Sequence, residues 1–427
     1  MTKRDLDWLG SCSLSTSKNP SLKAMKFLMS RLGHPEKKTK FVHVAGTNGK
    51  GSVVEMMAKI LEKAGYKTGK FMSPHLVRFN ERIQVNGREI TDAEIEKLLV
   101  ELQPVIDEYE AEFGVDITLF EIETTMALVY YAEMGCDIVV LEVGLGGEFD
   151  CTNIVTPEVA VIVSIGYDHM NILGESLVEI AGQKAGIVKP GGKVVSGELP
   201  EEARGVVQRK CEEMGAELVE VVGAEYEIIE GGVRVSDTEF GEIEVPLRGE
   251  KQAENAAICL ECVRILRERG WVISERAVRE GLSEVVHRGR FETVCDNPLV
   301  VYDGAHNLPA IENFWKNVET YYPDVPDERK TFVLALRKKD CRRILQVLLR
   351  ERAEYVFTTG EDTESYTLAE ELLEMAREIC PNGKYRVMDL TETLQEIKRE
   401  KREGVTFVVG TFFVYSEVEK VFGEENE

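Results

Sequence analysis

The run Phe41-Val42-His43-Val44-Ala45-Gly46-Thr47-Asn48-Gly49-Lys50-Gly51-Ser52 decides how the rest of the chain is read. Its first half is apolar, as a buried strand requires, and it breaks into glycines before a helical pattern opens. Glycines let successive backbone N–H groups converge on one anion, and the following helix adds the positive end of its dipole. Lys50 then supplies charge to the β- and γ-phosphates of a nucleotide, and Ser52 a hydroxyl for Mg²⁺. The spacing departs from the standard P-loop, because Val44 and Gly51 stand where Gly and a hydroxyl residue belong. A strand-to-helix turn without a ligand is the plain alternative.

The same transition recurs downstream. Asp137-Ile138-Val139-Val140-Leu141-Glu142-Val143-Gly144-Leu145-Gly146-Gly147 is a second buried strand running into glycines, and Val159 to Ser164 a third strand. In a doubly wound sheet a carboxylate at the carboxyl end of a neighbouring strand holds Mg²⁺ directly or through water. Glu142 is therefore a candidate metal ligand; a purely structural role would require a cationic partner. His169 falls just past the third strand. Lone histidines are commonly structural, but Ser52, Glu142 and His169 on one edge suit a metal.

After Val286 to Glu292 the pattern restarts, with strands at Leu299–Tyr302, Phe332–Leu336, Tyr355–Phe357, Tyr385–Val387 and Val405–Val409 alternating with helices. The expectation is an α/β protein: a P-loop-type, mainly parallel sheet ATPase domain over 1–287, followed by a smaller Rossmann-like α/β domain over 288–427. Residues 1–40 read as helical segments, with Leu22, Met25, Leu28, Met29 and Leu32 at helical spacing.

Asp and Glu number 76 against 52 Lys and Arg, a formal net charge of -24. That field repels nucleic acid and anionic membrane, so any anionic ligand needs a local basic site. The opening Met1-Thr2-Lys3-Arg4-Asp5-Leu6-Asp7-Trp8 lacks the apolar core of a signal peptide, and no apolar run reaches membrane-spanning length. The expected protein is a cytoplasmic monomer. Nine scattered cysteines argue for reduced thiols, with Cys259 and Cys262 as two helix-face core residues.

Ser73-Pro74-His75-Leu76-Val77-Arg78-Phe79-Asn80-Glu81-Arg82-Ile83 mixes a proline turn, an imidazole, two guanidiniums and an aromatic, which suits either a binding loop or a solvated, salt-bridged one. Thr118-Leu119-Phe120-Glu121 reads as a helix cap, with Glu121 at the third helical position. Asn255 near a helix start could read a nucleobase edge or bond the backbone.

Taken together these stretches resemble the Mur ligase superfamily. Val44 to Ser52 is similar to the phosphate loop of its folylpolyglutamate synthase/dihydrofolate synthase branch, and Leu141 to Asn153 to its Leu-Glu-Val-Gly-Leu-Gly-Gly-Arg-x-Asp-x-Thr-Asn element. The resemblance implies that Gly46, Thr47, Asn48, Gly49, Lys50, Gly51 and Ser52 hold ATP, with Gln252, Asn255, Arg290 and Asp303 as further nucleotide contacts. It also implies that Ser73, Pro74, His75, Arg82, Phe120, Asp150 and His306 lie on the substrate side.

Lys184, in Ile180-Ala181-Gly182-Gln183-Lys184-Ala185-Gly186, matches the lysine that the family carries as a carbamate; an unmodified helix lysine is the alternative. The carbamate would complete, with Ser52, Glu142 and His169, a set for two Mg²⁺ ions. Asp303-Gly304-Ala305-His306-Asn307 matches a second-domain element, and Arg290 would offset transition-state phosphate charge. Lys50, Lys184, Arg290 and His306 are thus the implied catalytic set. The implied activity is an ATP-dependent amide ligase joining L-glutamate to a folate or dihydropteroate-type pterin through an acyl phosphate, with domain closure during turnover. Glu148, Gln183 and Lys251 depart from the family pattern. They motivate two alternatives: a Mur-type ligase acting on another carboxylate, or an ATP-binding sensor without turnover.

Overall fold

The computed structural model describes residues 21–423 apart from 237, 361 and 402. The chain divides into two compact units. One takes in the chain up to Glu225 with Val235–Val245 and Ala253–Val285; the other holds Tyr226–Arg234, Pro246–Gln252 and the chain from Val286.

The first unit is built on β1 (Lys40–Ala45), whose residues after Lys40 are all buried. A parallel strand covered by helices on both faces is mostly apolar, with His43 the buried polar residue here, which is why no polar alternation marks it. With it run β2 (Thr68–Phe71), β3 (Ile83–Val85), β4 (Arg88–Glu89), β5 (Ile138–Glu142), β6 (Val159–Ile162), β7 (Lys193–Ser196) and β8 (Glu217–Glu220), in the order β4-β3-β2-β5-β1-β6-β7-β8. The pairs from β2 to β8 are parallel, while β3 and β4 add an antiparallel edge. In register, Val44 stands between Glu142 on β5 and Val161 on β6. The carboxyl ends of these three central strands therefore share one edge, where ligands bind in open α/β sheets.

Helices cover both faces. Lys23–Arg31, Asp92–Phe113 and Leu119–Met134 bury one core with Phe41, Phe71, Val139 and Leu141. On the same face, Leu177–Ala185 and Glu201–Met214 bury a second core against Ala45, Ile162 and Val194. The helix Lys50–Lys63 packs on Glu275–Ser283 so closely that a Cβ on Gly281 would lie 2.6 Å from the Ile60 Cα. Of the helical segments expected over 1–40, Lys23–Arg31 is present, and the part before residue 21 lies outside the described residues. No helix among the described residues is long and apolar enough to cross a membrane.

Next come β9 (Glu225–Ile229), β10 (Gly232–Ser236) and β11 (Ile243–Val245), a three-stranded sheet in the order β11-β10-β9. The second unit is a six-stranded sheet of β12 (Glu292–Asp296), β13 (Leu299–Asp303), β14 (Lys330–Leu334), β15 (Glu354–Phe357), β16 (Lys384–Val387) and β17 (Val405–Val409), in the order β12-β13-β17-β14-β15-β16. Only β12 runs antiparallel to its neighbour. Phe314, Phe332, Tyr355 and Phe407 fill its core. The sequence reading placed no strand at β12, β3 or β4. All three are short strands with mixed polar residues, β4 and β12 at sheet edges and β3 next to one, so no apolar run announces them.

Candidate active site

The loop after β1 is held from one side by the segment after β6. Thr47 N–H donates to the Ser164 carbonyl at 2.9 Å and Asn48 N–H to the Ser164 hydroxyl at 3.0 Å, which itself donates to the Asn48 carbonyl at 2.8 Å. Gly166 N–H donates to the Thr47 hydroxyl at 3.0 Å. Gly49 closes the turn at φ 84°, where a side chain would be strained. A Cβ there would lie 2.7 Å from both Asn255 Oδ1 and Val163 Cγ1. Asn255, buried on the helix Glu250–Glu268, thus sits against the loop, and Gln252 lies one turn ahead of it.

Two lysines converge on one carbonyl of this loop. Lys50 Nζ donates to the Gly46 oxygen at 3.1 Å, and Lys184 Nζ, reaching from the helix Leu177–Ala185, donates to the same oxygen at 2.9 Å. Lys184 is buried, and burial first, then the charge of Lys50, pushes its ammonium well below the usual lysine range, with Asp150 opposing. Ser52 is buried on the first turn after Lys50. Glu142, also buried, closes β5 and accepts a hydrogen bond from Ser73 N–H at 3.1 Å. His169 stands on the far side of β1 at φ 48°, with its side chain 46% exposed and Nε2 3.7 Å from the buried Asp168. Among the described residues, no three His, Cys, Asp or Glu side chains are already gathered as a metal-holding group.

Beyond Glu142 the glycine turn is clamped by Asp150. That buried carboxylate accepts Leu145 N–H at 2.8 Å, Thr152 N–H at 3.0 Å and the Thr152 hydroxyl. Burial raises its pKa and these bonds oppose the rise. His43 on β1 meets the Thr152 oxygen at 2.8 Å. Since that hydroxyl donates to Asp150, the His43 ring donates through Nε2. A Cβ on Gly147 would lie 2.6 Å from the Gln183 carbonyl, and Gly144 is covered by the Phe120 ring, so neither position has room for a side chain. The Thr118 to Glu121 capping box expected at this helix start is present.

The loop after β2 is organised by two carboxylates that the sequence reading did not single out. Glu81 accepts the N–H groups of Leu76, Val77 and Arg78 at 2.8, 3.0 and 2.7 Å. Glu123, buried on the helix Leu119–Met134, binds Arg82 Nη1 at 2.6 Å, and Arg82 Nε donates to His75 Nδ1 at 2.8 Å. The Ser73–Pro74 peptide is cis.

In the second unit, Asp303 at the end of β13 accepts Ala305 N–H at 2.8 Å and Phe291 N–H at 3.1 Å. Burial pushes its carboxyl up to about 6, with Arg290 pulling it back. Arg290 lies 4.4 Å from the Phe412 ring centre. His306 Nδ1 is 2.8 Å from the Gly304 carbonyl. A carbonyl can only accept, so the neutral ring carries its proton on Nδ1 and its basic lone pair on Nε2. The departures Glu148 and Lys251 are both exposed.

Residues 44–263 match the Mur ligase middle domain, and residues 289–411 the Mur ligase glutamate ligase domain. The dihydrofolate synthase/folylpolyglutamate synthase of Bacillus subtilis (strain 168) is 37% identical over 413 residues, 94% of each chain. A crystal structure of Mycobacterium tuberculosis folylpolyglutamate synthase complexed with ADP and AMPPCP superposes with a TM-score of 0.89, at 26% identity over 99% of this chain and 98% of that one. An FPGS-AMPPCP-folate complex gives a TM-score of 0.82, at 26% identity over 98% of each chain. The chain belongs to the Mur ligase family, in its dihydrofolate synthase/folylpolyglutamate synthase branch.

Proposed function

We propose that this chain uses ATP to join the amine of L-glutamate to the carboxylate of a folate or dihydropteroate-type acceptor. The observation that carries the reading is the convergence of Lys50 and Lys184 on the Gly46 carbonyl, at the carboxyl end of β1, with Glu142 one strand away. Glycine-turn N–H groups and the dipole of Lys50–Lys63 bind the β- and γ-phosphates, and Lys50 offsets their charge. Asn255, seated on Gly49, contacts the nucleoside, and Gln252 lies one turn ahead of it on the same helix.

An acceptor carboxylate oxygen attacks the γ-phosphorus, the bond to the ADP oxygen breaks, and an acyl phosphate forms. The glutamate amine then attacks the acyl carbon, inorganic phosphate leaves, and the amine gives up its proton. His306, with its lone pair on Nε2, suits that proton and the glutamate side of the reaction.

Mg²⁺ takes oxygen ligands and keeps several waters, so Ser52 and Glu142 fit it, with His169 as the third residue of the set. Bound there it would neutralise charge on the transferring phosphoryl group. A second cation would be repelled by a Lys184 ammonium. Burial of that side chain favours the neutral amine, which is the form that takes up carbon dioxide, and the resulting carbamate is an anionic oxygen ligand. The protein works as a cytoplasmic monomer.

The test is ATP consumption and product mass with each substrate omitted in turn. Phosphate release that requires both a pteroate-type acceptor and glutamate is expected. Turnover with none of a panel of pterins would refute the substrate assignment, and tight ATP binding without release under any mixture would mark a sensor instead.

A further inference from the structure

A carboxylate with no place in the phosphate site lies under the loop between β2 and β3. Glu123 is 2% exposed and faces Arg82, itself only 14% exposed at the side chain. Burying a carboxylate and a guanidinium is costly, and a hydrophobic pair of similar shape would serve packing as well. What distinguishes this pair is what it holds in place. Arg82 spends Nη1 on Glu123 at 2.6 Å and Nε on His75 Nδ1 at 2.8 Å, and it lies against the Phe79 ring.

A guanidinium has no lone pair to offer, so Arg82 can only donate to His75. Nδ1 must then be the unprotonated nitrogen, and the neutral ring carries its hydrogen on Nε2. Burial and the neighbouring Arg82 charge both disfavour protonation of the ring. Among the described residues the ring makes no second hydrogen bond, and it is only half-buried. Glu81 fixes the backbone that carries it.

We infer that Glu123 is a positioning residue: through Arg82 it locks His75 as a neutral Nε2–H donor that binds an oxygen of the folate-type acceptor. The inference rests on the acceptor reading given above and adds to it how the loop is set for its ligand. Without the Glu123 charge, Arg82 loses its anchor, the ring turns and exchanges tautomers, and the donor is no longer presented.

The experiment uses the full chain as wild type, Glu123→Gln, Glu123→Asp and His75→Leu. Initial rates give KM for acceptor and for ATP, and nitrogen NMR of histidine-labelled protein reports the His75 tautomer. Glu123→Gln is expected to raise the acceptor KM roughly tenfold, the scale of a lost hydrogen bond, with kcat and the ATP KM little changed. The His75 signal should move from pure Nε2–H to a mixture, and Glu123→Asp should recover part of both effects. His75→Leu, which leaves the Arg82–Glu123 pair intact, should raise the acceptor KM similarly, so the inference stays testable if Glu123→Gln does not fold. An unchanged acceptor KM in His75→Leu, or an unmoved tautomer in a folded Glu123→Gln, overturns it. A wild type that makes no glutamyl amide overturns the acceptor reading itself, and the two failures are thereby distinct.

Discussion

Lys50 and Lys184 share one carbonyl but are assigned different work, and single substitutions separate them. Lys50→Ala removes the cation on the β- and γ-phosphates, so nucleotide affinity and turnover should fall together, by roughly a hundredfold in affinity if a desolvated charge pair is lost. Lys184→Ala should abolish turnover and leave ATP binding largely intact. Calorimetric titration with nucleotide beside steady-state rates checks both, and equal loss of ATP affinity in the two variants would contradict the division. His43 offers a prediction in stability. Burial holds its ring down to about 3 against an ordinary 6.5, with Lys189 adding to the effect. The unfolded chain therefore takes up a proton below about 6.5 that the fold refuses, so stability falls as pH drops from there toward 3, by about 1.4 kcal/mol per pH unit from this residue. His43→Gln should flatten that slope in urea unfolding between about pH 5 and 6. Parallel slopes for the two proteins would show that His43 titrates normally. The sequence places His43 on a buried strand but does not show its partner Thr152, which lies 109 residues away.

The phosphate loop is the element whose geometry was most legible. An apolar run breaking into Gly-Thr-Asn-Gly-Lys leaves few folds, and the expected strand, turn and helix occur in that order. Its glycines are specific demands. Gly49→Ala must adopt a left-handed backbone and push Asn255 and Val163 aside, at a cost of about 1–3 kcal/mol. The variant should melt lower and bind ATP more weakly, read by thermal unfolding and by nucleotide titration; wild-type values in both would mean that the loop rearranges freely. The loop after β2 was legible only as a suspicious composition. What organises it are Glu81 and Glu123, and Glu123 reads in sequence as one of three glutamates in a largely apolar helix. Its meaning depends on Arg82, 41 residues earlier, arriving at the same depth. Edge strands such as β12 were invisible for a related reason: they carry no buried run, and their pairing is decided by the neighbour.

At the scale of the whole molecule, the candidate residues fall into two sets, one on each unit. Lys50, Ser52, Glu142 and Lys184 cluster about the carboxyl edge of the first sheet, and Arg290, Asp303 and His306 about the end of β13 in the second. Family membership was readable from short glycine and carboxylate motifs spread over both halves of the chain. The proposed acyl phosphate can be reached directly by one measurement. The acceptor carboxylate is labelled with heavy oxygen, turned over with ATP and L-glutamate, and the released phosphate is weighed by mass spectrometry. One labelled oxygen in the phosphate for each amide formed is the predicted result. Phosphate that carries no label, with amide still produced, would contradict the account.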